Sequence, residues 1–353
     1  MNKKFIALAI AAAIAPAAFA ADEVVLYGQV NVALVADNSK DSNFGIDNQG
    51  SRLGVKGTES LGNGMNAWFQ IESGVAPDDA SKAGFATREG WVGLKSSEFG
   101  GIQLGRGKSA YTKAYEEFDP WYQDDSFGIN GFDQLGYTGN AALVPDRGDG
   151  GYKYRTDNTA RYTYSMPGLD VMVDYSVGEN KNKIAGQKEA TNLSYYVKGT
   201  IADWWYIVGA NMARNANFRD TNGDGKGDTW APGAKLNNVL LGGGTSFGDL
   251  AIGAGFQRHV YSETGYGTNK RNSVLVNAMY NLEGNSLYGG IIMADKLKYG
   301  SVKMADSRYI RYGLGLAVPM SKRTNIVTEY MATDYSGTQK DKSYFSVGAY
   351  HSF

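Results

Sequence analysis

The chain has 353 residues, with 35 Lys+Arg against 36 Asp+Glu, two His, 47 Gly, 24 Tyr and no Cys. The balanced charge leaves no basic excess to neutralise phosphates, which argues against a nucleic-acid partner. The lack of Cys excludes disulfides, thiolate metal sites and a Cys nucleophile. In chain order the first element is an export signal over residues 1–20. Lys3 and Lys4 start it, Phe5 to Ile14 is an apolar run, and Ala18-Phe19-Ala20 offers a small-x-small cleavage site. The run is too short to span a bilayer, which takes roughly 20 apolar residues as a helix.

From Val24 the period becomes two. Leu26, Gly28, Val30, Val32 and Leu34 share one face, and Tyr27, Gln29, Asn31 and Ala33 the other. Leu53 and Val55 oppose Arg52 and Lys56, and Arg161 and Thr163 oppose Tyr162 and Tyr164. Leu169, Val171, Val173, Tyr175 and Val177 oppose Asp170, Met172, Asp174 and Ser176. Leu193, Tyr195 and Val197 oppose Ser194, Tyr196 and Lys198, and Tyr312, Leu314 and Leu316 oppose Arg311, Gly313 and Gly315.

Short and long connections alternate along the chain. Tight turns fall at 62–64, 98–101, 166–168, 202–203, 247–249, 283–285 and 319–322, and longer polar stretches at 38–50, 76–85, 108–157, 179–189, 215–236, 262–270, 296–306 and 335–341. They separate sixteen strands, each of about ten residues, the length a tilted strand needs to cross an outer membrane. Strands of a soluble β-sandwich average about 5–6 residues and hide their apolar faces in a shared core. The pattern instead predicts an all-β fold, a transmembrane antiparallel β-barrel with one face on lipid and the other on a wet lumen. Long loops would lie outside the cell and short turns in the periplasm. No domain boundary interrupts 21–353. Trp204-Trp205-Tyr206, Tyr195-Tyr196, Tyr261, Tyr266, Tyr288 and Tyr350 fall at strand ends, where an interfacial aromatic belt is expected. The last strand sets Phe345, Val347, Ala349 and the terminal Phe353 on one side.

Leu26-Tyr27-Gly28-Gln29-Val30, Ser51-Arg52-Leu53-Gly54-Val55-Lys56-Gly57, Arg88-Glu89-Gly90-Trp91-Val92-Gly93-Leu94-Lys95, Leu104-Gly105-Arg106 and the ending Val347 to Phe353 carry a family likeness. Through them the chain resembles the trimeric, sixteen-stranded general porins of Gram-negative bacteria, in the neisserial and β-proteobacterial branch. The resemblance implies a homotrimer surrounded by outer-membrane lipid and lipopolysaccharide. It also implies Phe353 as a signal to the outer-membrane assembly machinery, and passive diffusion of ions and small hydrophilic solutes. A substrate-specific channel or adhesin-like barrel is the alternative. The Pro-Glu-Phe-Gly-Gly tip of the enterobacterial constriction loop is replaced here by Glu117-Phe118-Asp119-Pro120-Trp121.

The longest connection, 108–157, follows the fifth strand, where these porins fold loop 3 into the lumen. From Ala114 to Leu135 it carries Glu116, Glu117, Asp119, Asp124, Asp125 and Asp133 and no Lys or Arg. A charge facing mid-membrane lipid costs roughly 2–4 kcal/mol, so Arg52, Lys56 and Arg161 are expected on the lumen wall. Arg88 resembles an eyelet arginine of the family, although turning it inward by strand parity sends Trp91 and Gly93 outward together with Glu89. Arg147 is a further candidate. Arg106 shares the outer face with Ile102 and Leu104, and the resemblance places it in the trimer interface. Acids on the loop lean toward cations and the arginines toward anions, so the sign of selectivity stays open. Asp220, Asn222, Asp224 and Asp228 match positions 1, 3, 5 and 9 of a calcium loop, but Ala231 stands where the bidentate acid belongs. His259, near Ser262 and Glu263, lacks the marks of a nucleophile–base pair, and no enzyme is expected; no organic cofactor is expected either.

Overall fold

The computed structural model describes residues 23–38, 44–78, 85–121, 155–177, 189–215, 217–219, 229–230, 233–265, 267–303, 305, 307–338 and 340–353. The expected signal segment, Arg147, Asp124, Asp125 and the calcium-like loop 220–228 lie outside these residues. Sixteen antiparallel strands form a closed barrel. They are β1 (Glu23–Asp37), β2 (Arg52–Gly62), β3 (Met65–Gly74), β4 (Glu89–Ser96), β5 (Gly100–Lys108), β6 (Arg155–Met166), β7 (Leu169–Val177) and β8 (Thr191–Ile201). The second half comprises β9 (Trp204–Arg214), β10 (Lys235–Phe247), β11 (Leu250–Glu263), β12 (Gly267–Leu282), β13 (Asn285–Ala294), β14 (Tyr309–Pro319), β15 (Thr324–Tyr335) and β16 (Lys342–Ser352).

Each strand pairs with its neighbour in sequence, and β16 returns to β1 from Asp37↔Tyr344 to Gln29↔Ser352. Beyond that pairing the terminal Phe353 exchanges two backbone hydrogen bonds of 3.1 Å with Gly28, so the last residue closes the seam. Strand β1 is longer than its contact with β2, which ends at Gln29↔Arg52. A short strand, Phe44–Asn48, fills the remaining edge by pairing with Val32 to Ala36. Closure leaves the sixteen barrel strands without a free edge, which a bilayer requires because lipid cannot satisfy backbone N–H and C=O groups.

The burial pattern is inverted relative to a water-soluble domain. Leu26 is 60 % exposed and Ile102 61 %, whereas Gln29 is 4 % exposed and Asn31 is fully buried. The parity expected from sequence holds along β1, β2, β6, β7, β14 and β16. All seven short turns occur where the sequence places them.

Three expectations need correction. The polar stretch 262–270 is a strand continuation, since Ser262↔Thr268 and Glu263↔Gly267 pair and leave a connection of only 264–266. Polarity did not signal a loop there because strand ends above the membrane are wetted on both faces. The long connection after β5 is narrower than expected, running from 109 to 154. Finally, several belt aromatics face inward. Tyr261 and Tyr288 are 1 % exposed and hydrogen-bond Glu263 and Glu329, both at 2.6 Å. Trp205, Tyr196 and Tyr350 pack against buried inner clusters. Adjacent aromatics necessarily point to opposite faces, so a Trp-Trp-Tyr run cannot lie wholly in the outer belt. The outer face retains Trp204, Tyr206, Tyr162, Tyr175, Tyr280, Tyr312 and Tyr330; Tyr266 lies outside the described residues.

Candidate functional site

The long loop starts as a short helix, α1 (Ala110–Glu116), inside the barrel. Ser109 caps it, its hydroxyl accepting from the Thr112 N–H at 3.1 Å. The helix tightens at its end through Phe118 N–H to Tyr115 C=O and Asp119 N–H to Glu116 C=O, and Pro120 forbids its continuation. Tyr111, Ala114, Tyr115 and Phe118 recur at helical spacing and bury one face. That period was legible in the sequence and is the signal that a plain acidic loop would lack.

This apolar face settles on the inner wall of β8 to β12. Tyr111 takes a 2.7 Å hydrogen bond from its own N–H to Ser194 Oγ, and its hydroxyl accepts from Gln257. Burial pushes the Tyr111 phenol well above its ordinary pKa, so it stays protonated. Phe118 packs on Trp205 with ring centroids 5.0 Å apart, and Asn277 donates to the Phe118 carbonyl. Room for Phe118 comes from Gly242, where a Cβ would land on the ring. Trp121 then reaches across to stand edge-on to Tyr288 at 5.3 Å.

Across from the loop, β2 to β6 form a charged wall. A hollow of about 330 Å³ opens between this wall and the loop. Arg52, Arg88, Lys95, Lys108, Lys113 and Arg161 line it, against Glu72, Glu89 and Glu116. Glu72 sits between two guanidinium groups, 2.8 Å from Arg88 Nε and 3.9 Å from Arg52 Nε. It also accepts from the Tyr27 hydroxyl at 3.1 Å, and Gln70 donates to that same hydroxyl at 2.6 Å. Glu89 accepts from Trp91 Nε1 at 2.6 Å and the Lys108 N–H at 3.0 Å, with Arg155 Nε 3.9 Å away. Lys95 lies 4.1 Å above the Trp68 ring.

The sequence-derived candidates divide accordingly. Arg52 and Arg88 join the hollow. Lys56 turns inward but sits over the Tyr27 ring at 5.2 Å, outside the hollow's lining. Arg161 is inward and 3 % exposed, held by Asp174 through two hydrogen bonds of 2.6 and 2.8 Å and stacked 4.3 Å from Trp91. It is therefore a neutralised strut as much as a wall charge. Glu116 lines the hollow beside Lys108, to which it is ion-paired. Glu117 instead pairs with Lys198 at 2.6 Å, and Asp119 accepts from the Trp121 N–H at 3.0 Å. The parity argument at Arg88 is overturned, since Glu89 and Trp91 both face inward with Arg88. Arg88 precedes the first residue of β4, and Ala86 just before it has φ of 55°, so alternation does not extend that far. Glu72, Glu89, Lys95, Lys108 and Lys113 were not foreseen. Glu72 could have been found from its alternation with Phe69 and Ile71.

Arg106 faces outward, as its parity requires, and pairs within its own chain with Asp157 while donating to the Thr87 carbonyl. The pair borders an outer hollow shared with Leu104, Ala160, Tyr175 and Val177. His259 is buried and bonded to Asn238 at 2.8 Å, without a nucleophile in that contact.

A wet charged lumen narrowed by an inward loop is the anatomy of a diffusion channel, and comparison with known proteins agrees. The family model for Gram-negative porins matches residues 7–338. Outer membrane porin protein 32 of Delftia acidovorans is 29 % identical over 333 residues, covering 92 % of this chain and 87 % of the relative. An outer membrane porin protein of Bordetella pertussis is 27 % identical, covering 92 % of both chains. The anion-selective porin from Comamonas acidovorans superposes with a TM-score of 0.77 at 21 % identity, covering 94 % of this chain and all of that one. The chain belongs to the Gram-negative porin family and is an outer-membrane channel for passive diffusion of ions and small hydrophilic solutes.

Proposed function

We propose that this channel prefers anions, and that the narrowing between the loop and β2 to β6 sets the preference. The observation that carries this is the basic excess around the hollow: with Arg161 neutralised by Asp174, Arg52, Arg88, Lys95, Lys108 and Lys113 stand against Glu72, Glu89 and Glu116. Two of the three acids are held by cations there: Glu72 by Arg88, and Glu116 by Lys108. A surplus of fixed positive charge in a narrow, water-filled passage with low-dielectric walls raises the local anion concentration and repels cations. Arginine keeps its charge at any working pH, so the share of the field due to Arg52 and Arg88 persists in acid and in base. The loop 109–154 acts as the constriction, with Arg52 and Arg88 as the wall charges and Glu116 as the loop acid that shares their hollow among the described residues. Glu117 and Asp119 orient the loop and contribute little to the field.

In the same reading the protein is a homotrimer with Arg106 near its interface, and Phe353 is read by the assembly machinery. Lipopolysaccharide is its outer-leaflet neighbour, and it catalyses no reaction. The likeness to the Comamonas porin carries the fold only; the sign of selectivity rests on the side chains named above. Measuring reversal potential across a planar bilayer in a potassium chloride gradient tests the proposal. A potential of the sign given by faster chloride supports it, and the opposite sign overturns it.

A further inference from the structure

Beyond the seat of the loop, the inner wall holds two arginines that the constriction does not use. Alternation turns Arg271 of β12 and Arg311 of β14 inward, where they are 2 % and 4 % exposed. Both approach one fully buried ring, their guanidinium carbons standing 5.6 and 5.5 Å from the centre of Tyr309. Strand β13 runs between them. At the level of Tyr309 it carries only the small, buried Ala294, which is in register with Tyr309 on one side and Ser273 on the other.

The two cations are served unequally. Arg271 donates to the Ser307 carbonyl and has Asp295 within electrostatic reach. Arg311 donates from Nε to Thr333 Oγ1 at 3.0 Å and enters no ion pair among the described residues. Its Nη1 is buried without a hydrogen-bond acceptor, and the Ser273 hydroxyl across Ala294 is buried without a partner as well. Glu329, the buried carboxylate of the neighbouring strand β15, accepts instead from the Tyr288 hydroxyl at 2.6 Å. The face of Tyr309 offsets only a part of this charge. A buried guanidinium without a counter-charge is strongly destabilising, and a second cation at the same ring adds repulsion. Water would satisfy the two spare donors but would bring no charge. An anion above Ala294 would do both. Ile292, Leu297 and Tyr335 crowd the same cluster, which favours an ion of halide size over an organic acid.

We propose that Arg311, together with Arg271 and Ser273, holds a chloride-sized anion on the inner wall between β12 and β14. Tyr309 belongs to the buried cluster that also contains Tyr111, Ala114 and Phe118 of the loop. The ion therefore strengthens the wall on which the loop rests, and the stability of the barrel depends on an ion that the channel itself passes. The site lies outside the hollow lined by Arg52 and Arg88, so it stands whichever sign of selectivity that hollow confers.

The test uses full-length porin purified in detergent, with chloride replacing gluconate at constant ionic strength. The unfolding midpoint of the parent should rise along a saturating curve, by roughly 2 °C or more. Arg311→Met keeps an apolar stem without the charge and should lose this rise, whereas Arg52→Ala in the hollow should keep it. A parent without a saturating rise overturns the proposal, and so does Arg311→Met with the parental curve. Crystals of the parent soaked in potassium bromide give the position, with an anomalous peak expected in contact with Arg311 Nη1. Ordered water there without such a peak overturns the site, even where Arg311→Met fails to fold. A bromide peak beside a flat chloride curve means binding at crystal concentration only, and it too overturns the proposal.

Discussion

The two halves of the lumen wall follow opposite rules. From β8 to β13 the inward side chains are neutral or apolar over much of their length, among them Ser194, Ile207, Leu236, Leu240 and Leu275, and they pack against the aromatic face of the loop. From β2 to β6 they are charged, and they face the loop across an open hollow. The same strand alternation thus serves two purposes. Where the inner residues are apolar, the loop is glued to the wall and the lumen is filled. Where they are charged, their solvation and mutual repulsion keep water between wall and loop. The pore is eccentric because one wall attracts the loop and the other attracts water.

The contrast can be broken most severely at Arg161. Arg161→Ala leaves the fully buried Asp174 carboxylate without its guanidinium, although Asp174 still accepts from the Ala110 N–H at 2.7 Å. Removing one partner of a buried ion pair costs about 3–5 kcal/mol, so the temperature at which the barrel unfolds in detergent should fall clearly. Arg161→Ala with Asp174→Ala should recover much of that loss, since neither charge is then stranded. An undiminished midpoint for the single variant would show that the pair is not the strut inferred here.

Gly242→Leu attacks the packed half. The new side chain competes with Phe118, and overpacking of this kind costs about 1–3 kcal/mol. The loop should detach from β10, and single-channel conductance should rise. A variant with parental conductance would mean that the loop is held elsewhere.

Arg52→Ala and Arg88→Ala sharpen the charged half. Each removes one positive charge from the lining of the hollow, worth about 1 kcal/mol or less in a wetted site. Reversal potentials should move toward cations, and Glu72→Gln should move them toward anions. Lys198→Met gives the smallest effect. Its partner Glu117 is itself 36 % exposed at the side chain, and such pairs contribute about 0–1 kcal/mol. Stability and selectivity should both stay near the parent, and a large selectivity change would place Glu117 closer to the ion path than its pairing suggests.

Much of this protein is legible one strand at a time. The strand count, the seven turns, the lipid-facing residues and the directions of Arg52, Lys56, Arg161 and Arg106 follow from period two and from the cost of a charge in lipid. Arg88 and Trp91 mark where that reading fails, because alternation has meaning only within a strand and Arg88 lies before one. Arg161 shows a second kind of failure. Its direction was readable, but its neutralisation by Asp174, thirteen residues away on the next strand, required the pairing register Arg161↔Asp174.

What the sequence determined by itself is which face of each strand each side chain occupies, since parity and solvent preference are local properties. Only the tertiary structure decided which charges became neighbours and where the loop came to rest. Register across strands sets the first, as with Glu72 between Arg52 and Arg88, or Arg311 beside Thr333. The second depends on distant surfaces matching in shape: Tyr111 finds Gln257 146 residues away, and Phe118 finds the bare backbone of Gly242. Such contacts arise from barrel closure, which brings together residues that no short window of sequence contains.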